Sequence, residues 1–274
     1  MSTVTATPTA TAPTPRRSTR GRALADATTI AWRNLKGMTR TPQVIVFSTI
    51  QPVIFVLNFR YVFGGALSAA LPPGVPYVDF LMPGIFVQTV AFGSTQIAIG
   101  MANDLNNGLI ERFRSLPMAR SAVLAGRTMS DLVRNSFVVL LMLAVGFAVG
   151  FRIHAGVVAL FAGFLLLMLF AFALSWLFAT IGMAIPDPEA AQAATFPLMA
   201  VLVFASTAFV PARSMPGWLQ AYAAHQPVSD VADALRSLVL GGPTAGNVVI
   251  AIAWCVGIVA VFAPIAVLRY RRVA

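Results

Sequence analysis

The 274-residue sequence is dominated by apolar side chains: 58% of its residues are hydrophobic and only 10% are charged. Soluble domains usually carry about 25% charged residues, so this composition excludes a water-soluble globular fold. The net charge is +10, but the arginines stand beside long apolar runs, which indicates membrane orientation rather than binding to nucleic acid. A single cysteine, Cys255, excludes a disulfide framework and a thiolate metal cluster.

The N-terminal segment precedes all of the long apolar runs. Residues 1–23 are predicted to be a disordered cytoplasmic tail, since the first fifteen or so are rich in Thr, Ala and Pro and lack the apolar core of a signal peptide. Residues 24–38 place apolar side chains along one stripe, which predicts a helix lying in the membrane interface. Pro42 would end it.

Six apolar runs are long enough to cross a hydrocarbon core about 30 Å thick as helices. Helices are expected because an open sheet in lipid would leave backbone groups without hydrogen-bond partners. The sequence therefore predicts an all-α polytopic membrane protein with six transmembrane helices. The predicted spans are residues 44–63, 80–102, 135–151, 156–181, 193–210 and 248–268.

The positions of the cations predict the orientation of these spans. Of the 19 Lys and Arg residues, 15 fall before the first span, between the second and third, or after the last. By the positive-inside rule, both termini are expected in the cytoplasm. His154 and His225, which are the two histidines, are then expected near the outer surface.

Two segments outside the spans have helical patterns. In residues 103–117, Leu105, Leu109, Phe113 and Leu116 fall on one face and Pro117 ends the segment, which predicts a short cytoplasmic amphipathic helix. It could either pack on its own bundle or dock on a partner. Residues 211–242 are too apolar for a free loop and too interrupted to cross, so two short external helices that re-enter the outer leaflet are expected.

Catalytic motifs are absent from the sequence. No G-x-x-x-x-G-K-[ST] occurs, so the chain has no phosphate-binding loop of its own, and H-E-x-x-H, C-x-x-C and G-x-S-x-G are also missing. Asp230 and Asp233, with His225 nearby, leave an intramembrane enzyme of prenyl-transferase type as an alternative. The two carboxylates are more simply explained as the charged start of a helix.

Several polar residues lie inside the predicted spans, where lipid would penalise them. They could line a translocation path or only bond one helix to another. No charge is expected near the middle of a span, and no inverted repeat is evident, which argues against an ATP-independent secondary carrier. The polar residues are Gln51, Asn58, Gln88, Thr89, Ser94, Gln96 and Thr195.

Three groups of motifs, in order along the chain, resemble the ABC-2 type permeases, especially their daunorubicin-resistance branch. The first is Trp32-Arg-Asn-Leu35 with Arg40-Thr-Pro42, and the second is the segment from Asn103 to Arg120. The third comprises Met215-Pro-Gly-Trp-Leu219, Gln226-Pro-Val228 and Asp233-Ala-Leu-Arg236. The resemblance covers nearly all of residues 24–274, which are therefore expected to form one ABC-2 type transmembrane domain.

This resemblance implies an exporter permease in a bacterial cytoplasmic membrane. It would pair with a second permease, identical or different, and with separate ATPase subunits that bind ATP and Mg, so no cofactor is expected on this chain. The substrate class would be lipophilic drugs or antibiotics, lipids or glycans. The segment 103–117 would be the coupling helix, with Leu109 and Phe113 as apolar anchors and Glu111, Arg112 and Arg114 as charged contacts. Leu105, Leu116 and Pro117 complete the coupling set.

Overall fold

The computed structural model describes residues 42–68, 71, 74–107 and 120–273. These segments are helical and contain no strand, which agrees with the predicted all-α class. The predicted tail (1–23), the interfacial helix (24–38) and most of the coupling segment lie outside the described residues.

Ten α-helices are formed by the described segments, and we number them in chain order. The first half contains α1 (Pro42–Leu57), which continues as a π-helical turn (Asn58–Val62), then α2 (Gly64–Ser68), α3 (Tyr77–Ser94), α4 (Gln96–Asn106) and α5 (Arg120–Ala148). The second half contains α6 (Gly156–Ala184), α7 (Pro188–Phe204), α8 (Gly217–Ala223), α9 (Pro227–Leu240) and α10 (Thr244–Val273), with a 3₁₀ turn at Ala212–Ser214.

Four of the six predicted spans correspond to helices long and apolar enough to cross a membrane. These are α3 with α4 (Tyr77–Asn106), most of α5 (Gly126–Ala148), α6 and most of α10 (Thr244–Tyr270). The first and fifth predicted spans correspond to α1 and α7, which have 16 and 17 residues. A crossing helix needs about 17 to 25 residues, so the count of six stays a prediction.

Helix α6 is the centre of the bundle, because it packs against α3, α4, α5, α7, α9 and α10. It is apolar all round, as expected for a helix surrounded by protein and lipid. Small residues allow the closest approaches. A side chain on Gly182 of α6 would overlap the backbone of Ala98, and one on Gly84 of α3 would overlap the backbone of Ala208.

Residues 211–242, which are predicted to be external, form two short helices, α8 and α9, in place of a free loop, as the sequence predicts. Helix α9 begins at Pro227, a favoured first residue because its missing N–H needs no partner there. It ends at Gly241, whose φ of +84° suits glycine. It packs on α3, α6 and α10. The depth of these helices in a bilayer stays a prediction.

Helix α5 differs most from the sequence prediction, because it begins at Arg120, whereas the predicted span begins at residue 135. Its first turns therefore carry Arg127, Asp131 and Arg134 into the bundle. Hydropathy favours apolar residues, so the predicted span begins only after these three polar residues, at residue 135. The structure instead buries them against other polar groups, so the helix is longer than its apolar run.

Candidate transport and coupling sites

A buried polar network centred on Asp131 joins α5 to α6. Asp131 is 5% exposed, and its Oδ2 accepts hydrogen bonds from Asn135 Nδ2 at 2.9 Å and from Ser175 Oγ at 3.1 Å. Its Oδ1 forms an ion pair with Arg134. A buried carboxylate without partners would cost several kcal/mol. These contacts therefore make the burial of Asp131 tolerable.

Arg134 also connects α5 to the second span, because it donates a hydrogen bond to the main-chain carbonyl of Gly93. Gly93 lies next to the interruption between α3 and α4. There the Ser94 hydroxyl donates to the Val90 carbonyl at 2.9 Å, and the Thr95 hydroxyl donates to the Phe92 carbonyl at 2.7 Å. Side-chain hydroxyls thus add hydrogen bonds to the main-chain carbonyls beside the interruption. A side chain at position 93 would collide with Asn135, so glycine permits this contact.

The expectation that no charge lies near the middle of a span is therefore wrong. Gly93 is close to the midpoint of the 30-residue segment Tyr77–Asn106, and the Arg134 guanidinium contacts it there. The charges escaped prediction because Arg134 was assigned to a cytoplasmic loop. The spacing of Asp131, Arg134 and Asn135 was the available signal, since residues three and four apart share a helix face.

A second ion pair, between Asp104 and Arg127, lies at the end of α4. Each side chain is about one-fifth exposed. Arg127 lies directly over Gly100, where a β-carbon would overlap the guanidinium. Asp104 precedes residues 108–119 and Arg127 follows them. The pair therefore joins the start of the predicted coupling segment (103–117), in α4, to α5 beyond its end.

One of the eight predicted coupling residues is described by the structure. Leu105 lies in the last turn of α4, is partly buried and packs against the hydrophobic core. The other seven lie outside the described residues, so the docking assignment stays a prediction; they are Leu109, Glu111, Arg112, Phe113, Arg114, Leu116 and Pro117.

The seven polar residues predicted for the path divide into two groups. Gln88, Thr89, Ser94 and Thr195 are buried. Three of these carry hydroxyls that donate to carbonyls four residues earlier in their own helices, at 2.7 to 2.9 Å. Gln88 differs, since its buried Oε1 has no partner among the described residues. The remaining residues, Gln51, Asn58 and Gln96, are exposed on the surface of the chain.

The first span meets the loop after α7 through aromatic side chains. Phe59 stacks on Phe209 with ring centroids 4.6 Å apart, and Phe55 lies 5.8 Å from Phe204 and 6.0 Å from Phe209. This packing holds α1 in place, while Gln51, one turn before Phe55, stays exposed.

Arg236 fixes helix α9 to the long apolar helices and to the loop after α7. Its Nε donates to the Phe80 carbonyl at 3.0 Å, and its Nη2 donates to the carbonyls of Thr207 and Ala208 at 2.6 and 2.8 Å. Its Nη1 pairs with Asp233 at 2.6 Å. The guanidinium also lies 3.7 Å from the centroid of the Phe80 ring. Burial lowers the pKa of Arg236, while the Asp233 carboxylate opposes that change.

The carboxylates of the alternative enzyme site already have protein partners. Asp233 pairs with Arg236 and accepts a hydrogen bond from the Thr207 hydroxyl at 3.2 Å. Asp230 accepts one from Trp254 Nε1 at 2.7 Å. Partial burial raises the pKa of Asp230, and the nearby Asp233 charge raises it further. No group of three or more metal-ligating side chains occurs in the part of the chain that the structure describes. These contacts agree with the structural interpretation of the pair.

Long apolar helices around α6, with polar networks at their contacts, define a polytopic helical membrane protein. The family model for the ABC-2 type transporter matches residues 26–240. The chain is 33% identical, over 93% of its length and 89% of the relative, to the daunorubicin resistance ABC transporter permease protein DrrB1 of Streptomyces coeruleorubidus. It is 27% identical to the probable doxorubicin resistance ABC transporter permease protein DrrC of Mycobacterium tuberculosis, over 83% of this chain and 82% of that protein.

A more distant relative is the putative transport permease ycf38 of Cyanophora paradoxa, with 24% identity over 73% of this chain and 69% of the relative. The chain belongs to the ABC-2 type transporter family. DrrB1 and DrrC are named as permease proteins of drug-resistance ABC transporters. The resemblance inferred from the motifs is confirmed.

Proposed function

We propose that this chain is the membrane-spanning permease subunit of an ATP-driven exporter. The observation that carries the proposal is a match to the ABC-2 family over residues 26–240 in a sequence that has no phosphate-binding loop. ATP and Mg are bound by separate ATPase subunits, and a second permease completes the pathway. The names of the homologues favour a lipophilic drug or antibiotic as the exported substrate.

Coupling begins at the segment 103–117, which docks on the ATPase. The ion pair between Asp104 and Arg127 connects the start of this segment to α5. Seven residues further along α5, Arg134 contacts Gly93 at the interruption between α3 and α4. A displacement of the docked segment therefore reaches the interruption through two successive polar contacts. An interrupted helix is a suitable place for such a change, because fewer ladder hydrogen bonds resist bending.

The Asp104–Arg127 ion pair and the Arg134–Gly93 hydrogen bond support an exchange between two conformations of the permease. ATP binding closes the ATPase pair and moves the coupling segment, and the permease pair then changes from inward to outward access. Chemistry takes place on the ATPase, and the permease contributes discrete polar contacts that can be made or released.

The translocation path is assigned to the exposed residues Gln51, Asn58 and Gln96. They are accessible on this chain, where a substrate or a second permease can reach them. Thr89, Ser94 and Thr195 bond their own helices, so they stabilise the local backbone and do not face the substrate.

The proposed location is a bacterial cytoplasmic membrane with both termini in the cytoplasm. The contacts at one end of the bundle support the alternating topology. The Tyr77 hydroxyl donates to the Phe209 carbonyl at 3.1 Å, and the backbone N–H of Arg152 donates to Asp79 at 2.9 Å. Tyr77, Asp79 and Arg152 are predicted on the external side, and Phe209 is predicted at the external end of the fifth span, so the two contacts join residues that this topology places together.

The test is ATP-dependent daunorubicin uptake into inverted membrane vesicles that contain the chain and the nucleotide-binding ATPase that co-purifies with it. Vesicles with both proteins should accumulate drug when ATP is added, and vesicles with either protein alone should not. A protonophore should leave the initial rate unchanged. Drug movement by the chain alone, abolished by the protonophore, would contradict the proposal and favour a secondary carrier.

A further inference from the structure

An apolar crevice with a volume of about 310 Å³ lies between α5, α6 and α9. All of its lining residues are apolar or glycine. Its floor is made of buried side chains, among them Phe86, Phe151, Leu167 and Leu235. Leu140, Val157 and Phe161 form its edges and are 54%, 81% and 62% exposed. The crevice therefore opens sideways, toward the surroundings of the helices, and is closed toward the core.

The length of the crevice corresponds to one leaflet of a bilayer. Its lining residues on α6 extend from Val157, near the start of the helix, to Leu167. At a rise of 1.5 Å per residue these ten steps cover about 15 Å. The hydrocarbon core is about 30 Å thick, so a single leaflet accounts for about half of it. The crevice thus matches the depth of an acyl chain that starts at the loop between α5 and α6.

The lining decides the chemistry of the occupant. A cavity without polar groups stays free of water and accepts apolar ligands. Drug-binding pockets usually contain a few polar groups that orient the ligand, and here none is present in the lining. An unbranched hydrocarbon chain needs no such group. The walls therefore favour an acyl chain over a drug with polar functions.

A cation lies at the loop end of the crevice. Arg152 directly follows Phe151, a floor residue, and the backbone N–H of His154 donates to the carbonyl of Val239, another lining residue, at 3.0 Å. Arg152 is exposed, and its side chain takes part in none of the ion pairs found among the described residues. Its backbone N–H donates to the buried Asp79 carboxylate at 2.9 Å. An arginine at this position can pair with a lipid phosphate through two parallel hydrogen bonds.

We propose that the crevice between α5, α6 and α9 is a binding site for one acyl chain of an anionic phospholipid, with the lipid phosphate at Arg152. The bound chain fills the space beside α9 and so supports the contact of this external helix with the spans. The site requires neither ATP nor a partner subunit, and it is independent of the proposed transport function.

The test uses the full chain in nanodiscs that contain a phosphatidylglycerol with a diazirine on its acyl chain. Photolabelled peptides should come from the crevice walls on α5 and α6. Leu143→Trp should reduce this labelling about fivefold or more, because the indole occupies the crevice. Leu141→Trp is the matched control, since Leu141 lies on the same helix but does not line the crevice. Leu160→Trp is a second filling variant if Leu143→Trp does not fold.

The headgroup is tested with phosphatidylcholine that carries the same photoactivatable chain. The wild-type chain should prefer phosphatidylglycerol, and Arg152→Gln should remove the preference. Absence of crevice labelling, or equal labelling of the Leu143 and Leu141 variants, would overturn the site. Equal labelling by both lipids would overturn the phosphate contact. Loss of labelling when daunorubicin is added would identify the crevice as a substrate site and would contradict the lipid assignment.

Discussion

The Arg134 guanidinium donates a hydrogen bond to the backbone carbonyl of Gly93 and so joins α5 to the second span beside its interruption. The same guanidinium pairs with Asp131. Gly93 permits the approach because a side chain there would collide with Asn135. A charged residue thus contacts the second span beside its interruption at Thr95, which makes the contact a candidate for a step that changes between the two access states.

Replacing Arg134 with Met should destabilise the permease by about 3 to 5 kcal/mol, because it leaves the buried Asp131 carboxylate without its counter-charge. We expect a lower abundance in membranes and a lower thermal unfolding temperature in detergent. Asp131→Asn should have a smaller effect, since the amide can still bond Asn135 and Ser175. Unfolding temperature, measured by tryptophan fluorescence, checks both variants.

The double variant Arg134→Met with Asp131→Asn separates the ion pair from general packing. If the two charges depend on each other, the double variant should be less destabilised than the sum of the two single variants. Additive effects would mean that the pair contributes no specific coupling. Arg269→Met, at an exposed site on α10, serves as the control for the loss of a cation.

Gly100→Ala should impair transport while the chain still folds. The added methyl group would overlap the Arg127 guanidinium, which lies at the end of a flexible side chain and can move away. The ion pair with Asp104 would then be weakened. Gly257→Ala is the control, because a β-carbon there meets no atom within 4 Å. Daunorubicin efflux, compared at equal protein abundance, checks the prediction. If Gly100→Ala exported the drug at the wild-type rate, the Asp104–Arg127 pair would not be part of the coupling route.

Arg236→Lys should destabilise the external helix almost as strongly as Arg236→Met. A single ammonium group cannot reproduce the separate hydrogen bonds of Nε, Nη1 and Nη2 to Phe80, Asp233, Thr207 and Ala208. We expect faster proteolytic cleavage near α9 in both variants, measured by limited digestion of nanodisc samples. If Arg236→Lys resisted the protease as well as the wild-type protein does, the positive charge alone would be sufficient to hold α9.

The sequence predicts the long apolar helices because composition and hydropathy govern them. It also predicts α8 and α9 through Pro216, Pro227 and Gly241, whose backbone preferences are local. The polar network could not be predicted in the same way, because Asp131 and Ser175 are 44 residues apart and only the packing of α5 on α6 brings them together. The division of the seven path residues into buried and exposed groups also depends on packing.

Cysteine accessibility should show Ser68 and Gln220 on the outside of the cell. Both residues are exposed and are predicted outside by the positive-inside rule. Introduced separately into a Cys255→Ala background, each cysteine should react with an impermeant maleimide in intact cells. A cysteine at Asn107, next to the coupling segment, should react only after permeabilisation. The reverse pattern would invert the topology.

Phe113→Ala should weaken docking of the ATPase by about 1 to 3 kcal/mol, as the loss of a buried interface anchor typically does. Arg112→Glu should weaken assembly as well, because an unmatched charge at a contact is costly. Asn106→Ala is the control, since Asn106 is exposed at the end of α4 and its replacement should leave ATPase binding and drug efflux nearly unchanged.

If this segment packed only on its own bundle, Phe113→Ala would lower the abundance of the permease instead. Abundance, ATPase co-purification and drug efflux, measured on the same three variants, separate the two cases. Normal abundance with unimpaired ATPase binding in both Phe113→Ala and Arg112→Glu would refute the docking assignment.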